Sequence, residues 1–220
     1  MKFTISRIQA DKPFRDIVLN KDDLLKHSME IANLHAHAGA GKTKKKLYPR
    51  VRENVQFLQF AYREISEYVK RTRDLVPAAE WFLDNYYLLK DLKQEIKSNL
   101  PGKYERQLPG VTSGPLKGYP RIFALMVEFI EHTDSNVQGE TLKEFVNVYQ
   151  SQAPLSSGEL WAIPIMLRIA LLENIRRLID YVLLTQIERE AAESWLVPFF
   201  HTEHKPEEWE EILSSVSRPD

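Results

Sequence analysis

Glu80 and Asp84 lie four residues apart beside Trp81 and Asn85, and Glu159 supplies a third acid further along the chain. Paired carboxylates flanking an aromatic face are what a glycoside hydrolase uses, one acid protonating the leaving oxygen while the other attacks or activates water. Carboxylates one helical turn apart serve equally well as ion-pair partners for Arg121, Arg168 or Arg176 from neighbouring helices. A second polar set, Glu159, Trp161, Arg168, Glu173 and Asn174, interrupts an otherwise apolar stretch. Such residues either tie packed elements together or line a pocket. Glu173 and Arg177 have the order and spacing of an intrahelical ion pair.

Other short motifs fit their chemistry less well. Gly41-Lys42-Thr43 resembles the end of a phosphate-binding loop, but Ala36 stands where the first glycine belongs and the preceding segment reads as helix, not strand. Lys42, Lys44, Lys45 and Lys46, with Arg50 and Arg52 nearby, form a basic cluster suited to a solvated loop or to anionic head groups. On the second reading the chain is a peripheral membrane-binding module. His35 and His37 are two apart and point in different directions on a helix; His201 and His204 are three apart near Glu203 and Glu207, on a segment that reads as an exposed tail. No metal site and no cofactor is assigned.

The 220 residues contain 30 Lys plus Arg against 31 Asp plus Glu, so no overall field favours nucleic acid. Cysteine is absent, which removes disulfides, thiolate metal sites and cysteine nucleophiles. The first residues, Met-Lys-Phe-Thr-Ile-Ser-Arg-Ile, lack the apolar stretch of a secretory signal. Residues 160–184 form the most apolar long segment, but Arg168, Glu173, Arg176, Arg177 and Asp180 interrupt it, so it reads as a buried helix and no transmembrane segment is expected.

The elements that would position these groups are helical. Asn20 reads as an N-cap followed by Asp22 and Asp23 at the positive end of a helix dipole. Val51, Val55, Leu58, Tyr62, Ile65 and Val69 alternate spacings of four and three, the seam of one long helix lying along another. After Pro77, Trp81, Leu88, Leu92 and Ile96 continue one helical face. Residues 100–120 carry four prolines and four glycines, which forbid a continuous helix there. Ser156 and Glu159 have the spacing of a capping box, opening a helix through residue 190. The expected fold is all-α, a bundle framed by long antiparallel helices at residues 50–75 and 157–190. Residues 1–220 form a single helical domain, divisible into lobes 1–100 and 120–220 joined by the Pro/Gly segment, and a last short helix is expected at residues 206–216.

Several ordered blocks also resemble a known family. Ala79-Glu80-Trp81-Phe82-Leu83-Asp84-Asn85-Tyr86-Tyr87-Leu88, Arg106-Gln107-Leu108-Pro109, Gly114-Pro115-Leu116-Lys117-Gly118-Tyr119-Pro120-Arg121, His132-Thr133-Asp134 and Gly158-Glu159-Leu160-Trp161-Ala162-Ile163-Pro164 are similar to the region ahead of the glucosyltransferase domain in bacterial cyclic β-1,2-glucan synthases. The block Glu173-Asn174-Ile175-Arg176-Arg177-Leu178 completes a resemblance that runs from about Asp22 to Leu178. Those synthases are membrane-associated enzymes that build β-1,2-linked glucan from UDP-glucose; their transferase fold, acidic metal motifs and membrane spans have no counterpart here. The resemblance implies a noncatalytic helical accessory domain that docks onto a glucosyltransferase domain of the same or a longer chain, or holds β-1,2-glucan. It also implies a cytoplasmic location at the inner face of the cytoplasmic membrane. Glucan holding would need aromatic faces flanked by charged and amide groups, here Trp81, Asn85, Tyr119, Arg121, Glu159, Trp161, Arg168, Glu173 and Asn174. The competing reading is a free-standing helical carbohydrate-active enzyme with Glu80, Asp84 or Glu159 as acid and base.

Overall fold

Asn20 ends an extended lead-in and starts α1 (Lys21–Ala38): its Oδ1 accepts the Asp23 amide at 3.0 Å, with Asp22 and Asp23 in the first turn. The computed structural model describes residues 12–38, 41–72, 76–90 and 92–201. Helix α2 (Leu47–Thr72) follows, and Val51, Val55, Leu58 and Ile65 of the anticipated seam are buried on it. Its start is capped from a distance, because the Glu105 carboxylate accepts the Leu47 amide.

Beyond Pro77 the structure departs from the single apolar face expected. The segment divides into α3 (Pro77–Asn85), α4 (Tyr87–Lys90) and α5 (Leu92–Asn99). At Tyr86 the amide turns to the Leu83 carbonyl, three residues back, while its ring stacks on Tyr62 of α2 at 4.1 Å between centroids. Tightening from a four-residue to a three-residue bond rotates everything downstream. Phe82, Tyr86 and Ile96 are buried, while Trp81, Tyr87 and Leu88 are exposed.

The Pro/Gly segment holds α6 (Gly102–Glu105) and a two-residue strand, β2 (Pro109–Gly110), which pairs antiparallel with β1 (Gly41–Lys42). Gly110 has no substitute there, since a Cβ would fall 2.8 Å from the Lys42 carbonyl oxygen. Gly118, at φ +88°, adopts the left-handed conformation and offers its carbonyl to the Lys44 and Lys45 amides, both at 2.9 Å. Thr43 Oγ1 donates to the Leu108 carbonyl at 2.6 Å. Residues 41–46 are therefore not the free connection their composition suggests: the backbone is docked on residues 108–118.

Helix α7 (Arg121–His132) is buried almost all round, from Ile122 through Val127 and again at Phe129 and Ile130. Helix α8 (Gly139–Gln152) packs on α1, burying Phe145, Val146 and Tyr149. Helix α9 (Ser157–His201) is 45 residues long and packs against α2, α3, α5 and α7. The capping box at its start is formed in both directions: Ser156 Oγ accepts the Glu159 amide at 3.3 Å, and Glu159 Oε2 accepts the Ser156 amide at 2.9 Å. One hydrophobic cluster takes in Leu58 and Phe82 ahead of the Pro/Gly segment together with Phe123, Phe145 and Ile169 behind it. Among the described residues the fold is all-α apart from the β1–β2 pair. No described helix is long and apolar enough to cross a membrane. The helix expected at residues 206–216 lies outside the described residues.

Candidate functional site

The polar residues of α9 divide by the side they face. Glu159, at 0% exposure, sits behind the helix start, where Arg121 Nε donates to it at 2.5 Å and Arg121 Nη2 at 3.0 Å while Ser156 occupies the same Oε2. Arg121 Nη2 also donates to the Pro154 carbonyl at 2.7 Å. Glu173, at 1% exposure, receives a two-pronged contact from Arg50 of α2 and the anticipated intrahelical contact from Arg177, at 2.8 Å and 3.1 Å. Burial alone would raise the Glu173 pKa, but hydrogen bonds and charge from Arg50 and Arg177 overcome it and hold the carboxyl below its ordinary value. Asn174 Oδ1 accepts the Phe14 amide at 2.7 Å and its Nδ2 donates to Ser135 Oγ at 2.9 Å. Arg176 and Asp180 pair at 3.4 Å in the interior. These groups join elements; none of their carboxylates opens toward solvent.

The other side of α9 opens. Trp161, 83% exposed, stands with Pro164, Ile165 and Arg168 along one wall of a cleft of about 420 Å³. Asn99 from the end of α5, Tyr104 from α6 and Gly158 complete the lining. Tyr104 fixes the geometry by donating its hydroxyl proton to the Gly158 carbonyl. Gly158 lies against the Tyr104 ring, where a Cβ would meet it at 3.6 Å, an ordinary van der Waals distance. Arg168 is held at the rim by Glu95 of α5, 2.7 Å away, with both side chains partly in water. A broad indole face beside a guanidinium and an amide, in a volume within the roughly 300–1,000 Å³ range of small-molecule sites, suits a hydroxyl-rich ligand with apolar ring faces.

Of the nine binding residues anticipated, Trp161 and Arg168 meet in this cleft. Glu159, Glu173, Asn174 and Arg121 are consumed by internal contacts. Trp81, 56% exposed, lies elsewhere on α3, where Asn85 Nδ2 donates to its carbonyl at 2.8 Å. Tyr119 packs edge-on against Phe123, with the Arg50 guanidinium 5.1 Å from its ring centroid. Glu80 and Asp84 are exposed on α3, so the expectation that they partner Arg121, Arg168 or Arg176 is corrected: those guanidiniums meet Glu159, Glu95 and Asp180. Asn99 and Tyr104 carried no signal in the sequence, since only the turn through Pro101 and Gly102 brings them against α9.

The Gly41-Lys42-Thr43 motif has no phosphate cradle. The Lys44 and Lys45 amides already donate to Gly118, although the four lysine side chains remain exposed. His35 shares a 2.7 Å hydrogen bond with Tyr149 Oη, and burial, aided by Arg121, lowers its imidazole pKa, so it is a neutral contact between α1 and α8. The side chains of His37 and His201, and all of His204, lie outside the described residues. A different group, His27, Glu128 and His132, brings three metal-capable atoms within 4.8 Å of one another. Glu128 and His132 show the four-residue helical spacing, but His27 is 101 residues from Glu128, and no local pattern announces it.

No family model matches the chain. Among curated proteins it is similar to "Cyclic beta-(1,2)-glucan synthase NdvB" of Rhizobium meliloti (strain 1021), at 33% identity over 173 residues. Those residues are 78% of this chain and 6% of that protein, so the chain spans only a small part of its relative. Over most of its length, the chain is thus related to a limited segment of a cyclic β-(1,2)-glucan synthase.

Proposed function

We propose that this chain is a noncatalytic helical accessory module of a glucan synthase-like system, acting as one unit and holding β-1,2-glucan in the cleft at Trp161. The observation that carries this reading is the cleft: an exposed tryptophan on a wall shared with Pro164 and Arg168, with Tyr104 and Asn99 completing the lining. An indole stacks on the C–H face of a pyranose ring, and the guanidinium and amide donate to its hydroxyls. The carboxylates nearest in sequence do not reach that space, because Glu159 is turned inward and bound by Arg121 and Ser156. The module would serve a glucosyltransferase domain of the same or a longer chain at the inner face of the cytoplasmic membrane.

A second reading, docking onto that transferase, is favoured by Trp81, Tyr87 and Leu88, which are exposed on α3 and α4. Calorimetric titration with β-1,2-glucooligosaccharides, with the mixture then examined for shortened or lengthened sugars, separates these roles. Binding without turnover is expected. Turnover would favour the free-standing enzyme, and absence of binding would leave docking as the better account.

A further inference from the structure

We propose that His27, Glu128 and His132 form a binding site for a divalent first-row transition ion of the zinc class, joining α1 to α7. Glu128 and His132 project from one face of α7, and His27 reaches them from α1. Glu128 Oε2 lies 3.0 Å from His27 Nε2 and 3.9 Å from His132 Nε2, and the two imidazoles meet edge to face with centroids 4.3 Å apart. A tetrahedral ion with bonds of about 2.0–2.2 Å separates its ligand atoms by about 3.3–3.6 Å, between the two distances found. The ion would therefore enter with sub-ångström shifts at these contacts.

The protonation pattern points the same way. His132 Nδ1 is 3.0 Å from the Ile17 carbonyl oxygen, which can only accept, so Nδ1 carries the proton and Nε2 presents a lone pair toward Glu128. A carboxylate oxygen and an imidazole lone pair facing each other at 3.9 Å form no hydrogen bond. Glu128 Oε2 instead accepts from His27 Nε2 at 3.0 Å, and an ion bound here would take the place of that proton. A backbone carbonyl on the remote ring nitrogen is the usual support of a metal-binding histidine. That support is built into the fold here: residues 16–19 run along the end of α7, with the Asp16 amide bonded to the Glu131 carbonyl and the Leu19 amide to that of His132. Glu30, 3.9 Å from His27 Nδ1, adds negative charge beside the cluster. Two imidazoles and one carboxylate favour zinc, cobalt or nickel over magnesium or calcium, which require oxygen ligands. His27 and Glu128 are partly open to solvent, leaving room for a water to complete the coordination.

The test is titration of the full chain with Zn²⁺ and Co²⁺, read by calorimetry and by the Co²⁺ visible absorption. A companion NMR measurement follows the imidazole Hε1 resonances of His27 and His132. Glu128→Gln and His132→Asn are expected to weaken binding more than about 100-fold, beyond the roughly 10- to 100-fold typical of losing only a supporting contact. Substituting His201 and His204 should leave binding unchanged. Far-ultraviolet circular dichroism confirms that each variant is folded, and in the unaltered chain the two Hε1 resonances must move together on adding Zn²⁺. Equal binding by Glu128→Gln, loss of binding with His201 and His204, or Hε1 resonances that do not move on adding Zn²⁺ would overturn the site.

Discussion

The inward and outward faces of α9 use the same residue types to opposite ends. Inward, Glu159, Glu173, Asn174, Arg176 and Asp180 find partners on α2, on α7, near the chain start or on α9 itself. Outward, Trp161 and Arg168 border a cleft, and only the guanidinium has a charged partner, at the rim. A polar residue in an apolar helix thus acquires its role from the side of the helix it occupies. A buried carboxylate matched by two arginines ties helices together, whereas an exposed indole at the edge of a cleft leaves a face free to bind.

Breaking the closed face should have the largest effect. Glu173→Gln removes the charge shared by Arg50 and Arg177, and because both guanidiniums retain some access to water the loss should be about 3 kcal/mol, the low end for a broken buried pair, measured by denaturant unfolding. The same carboxyl sets an acid limit. It titrates below its unfolded value near 4.3, so between the two values the unfolded chain binds more protons. Its stabilisation is complete above about pH 5 and is lost as pH falls through the folded value, and Glu173→Gln should flatten that part of the stability profile.

A smaller cost is expected at the start of the helix. Ser156→Ala removes one half of the capping box and should lower stability by about 1 kcal/mol in the same measurement. On the open face the expectation reverses. Trp161→Ala and Arg168→Ala should each change stability by less than about 0.5 kcal/mol, because the indole is exposed and the Arg168–Glu95 pair is partly solvated. A loss of 2 kcal/mol or more at Trp161 would mean that the indole is structural.

Local signals were legible and long-range ones were not. The Asn20 cap, the Ser156–Glu159 box, the α2 seam and the Glu173–Arg177 pair all lie within a few residues of one another in sequence, and the structure forms each of them. The turn at Tyr86 was hidden because stacking on Tyr62, from another helix, accompanies the change of phase. Arg50 meets Glu173 across 123 positions, and Tyr104 meets Gly158 across 54, through a segment whose prolines and glycines showed only where helix must stop. The acids that looked most chemical, Glu80 and Asp84, are exposed on α3, while the cleft drew Asn99 and Tyr104 from positions with no pattern at all.

The most direct test of glucan holding is a calorimetric comparison of the unaltered chain, Trp161→Ala and Trp81→Ala with the same β-1,2-glucooligosaccharide. Binding by the unaltered chain and by Trp81→Ala, with none by Trp161→Ala and no change in the sugar, is the predicted result. Equal binding by Trp161→Ala, or no binding by the unaltered chain, would contradict it.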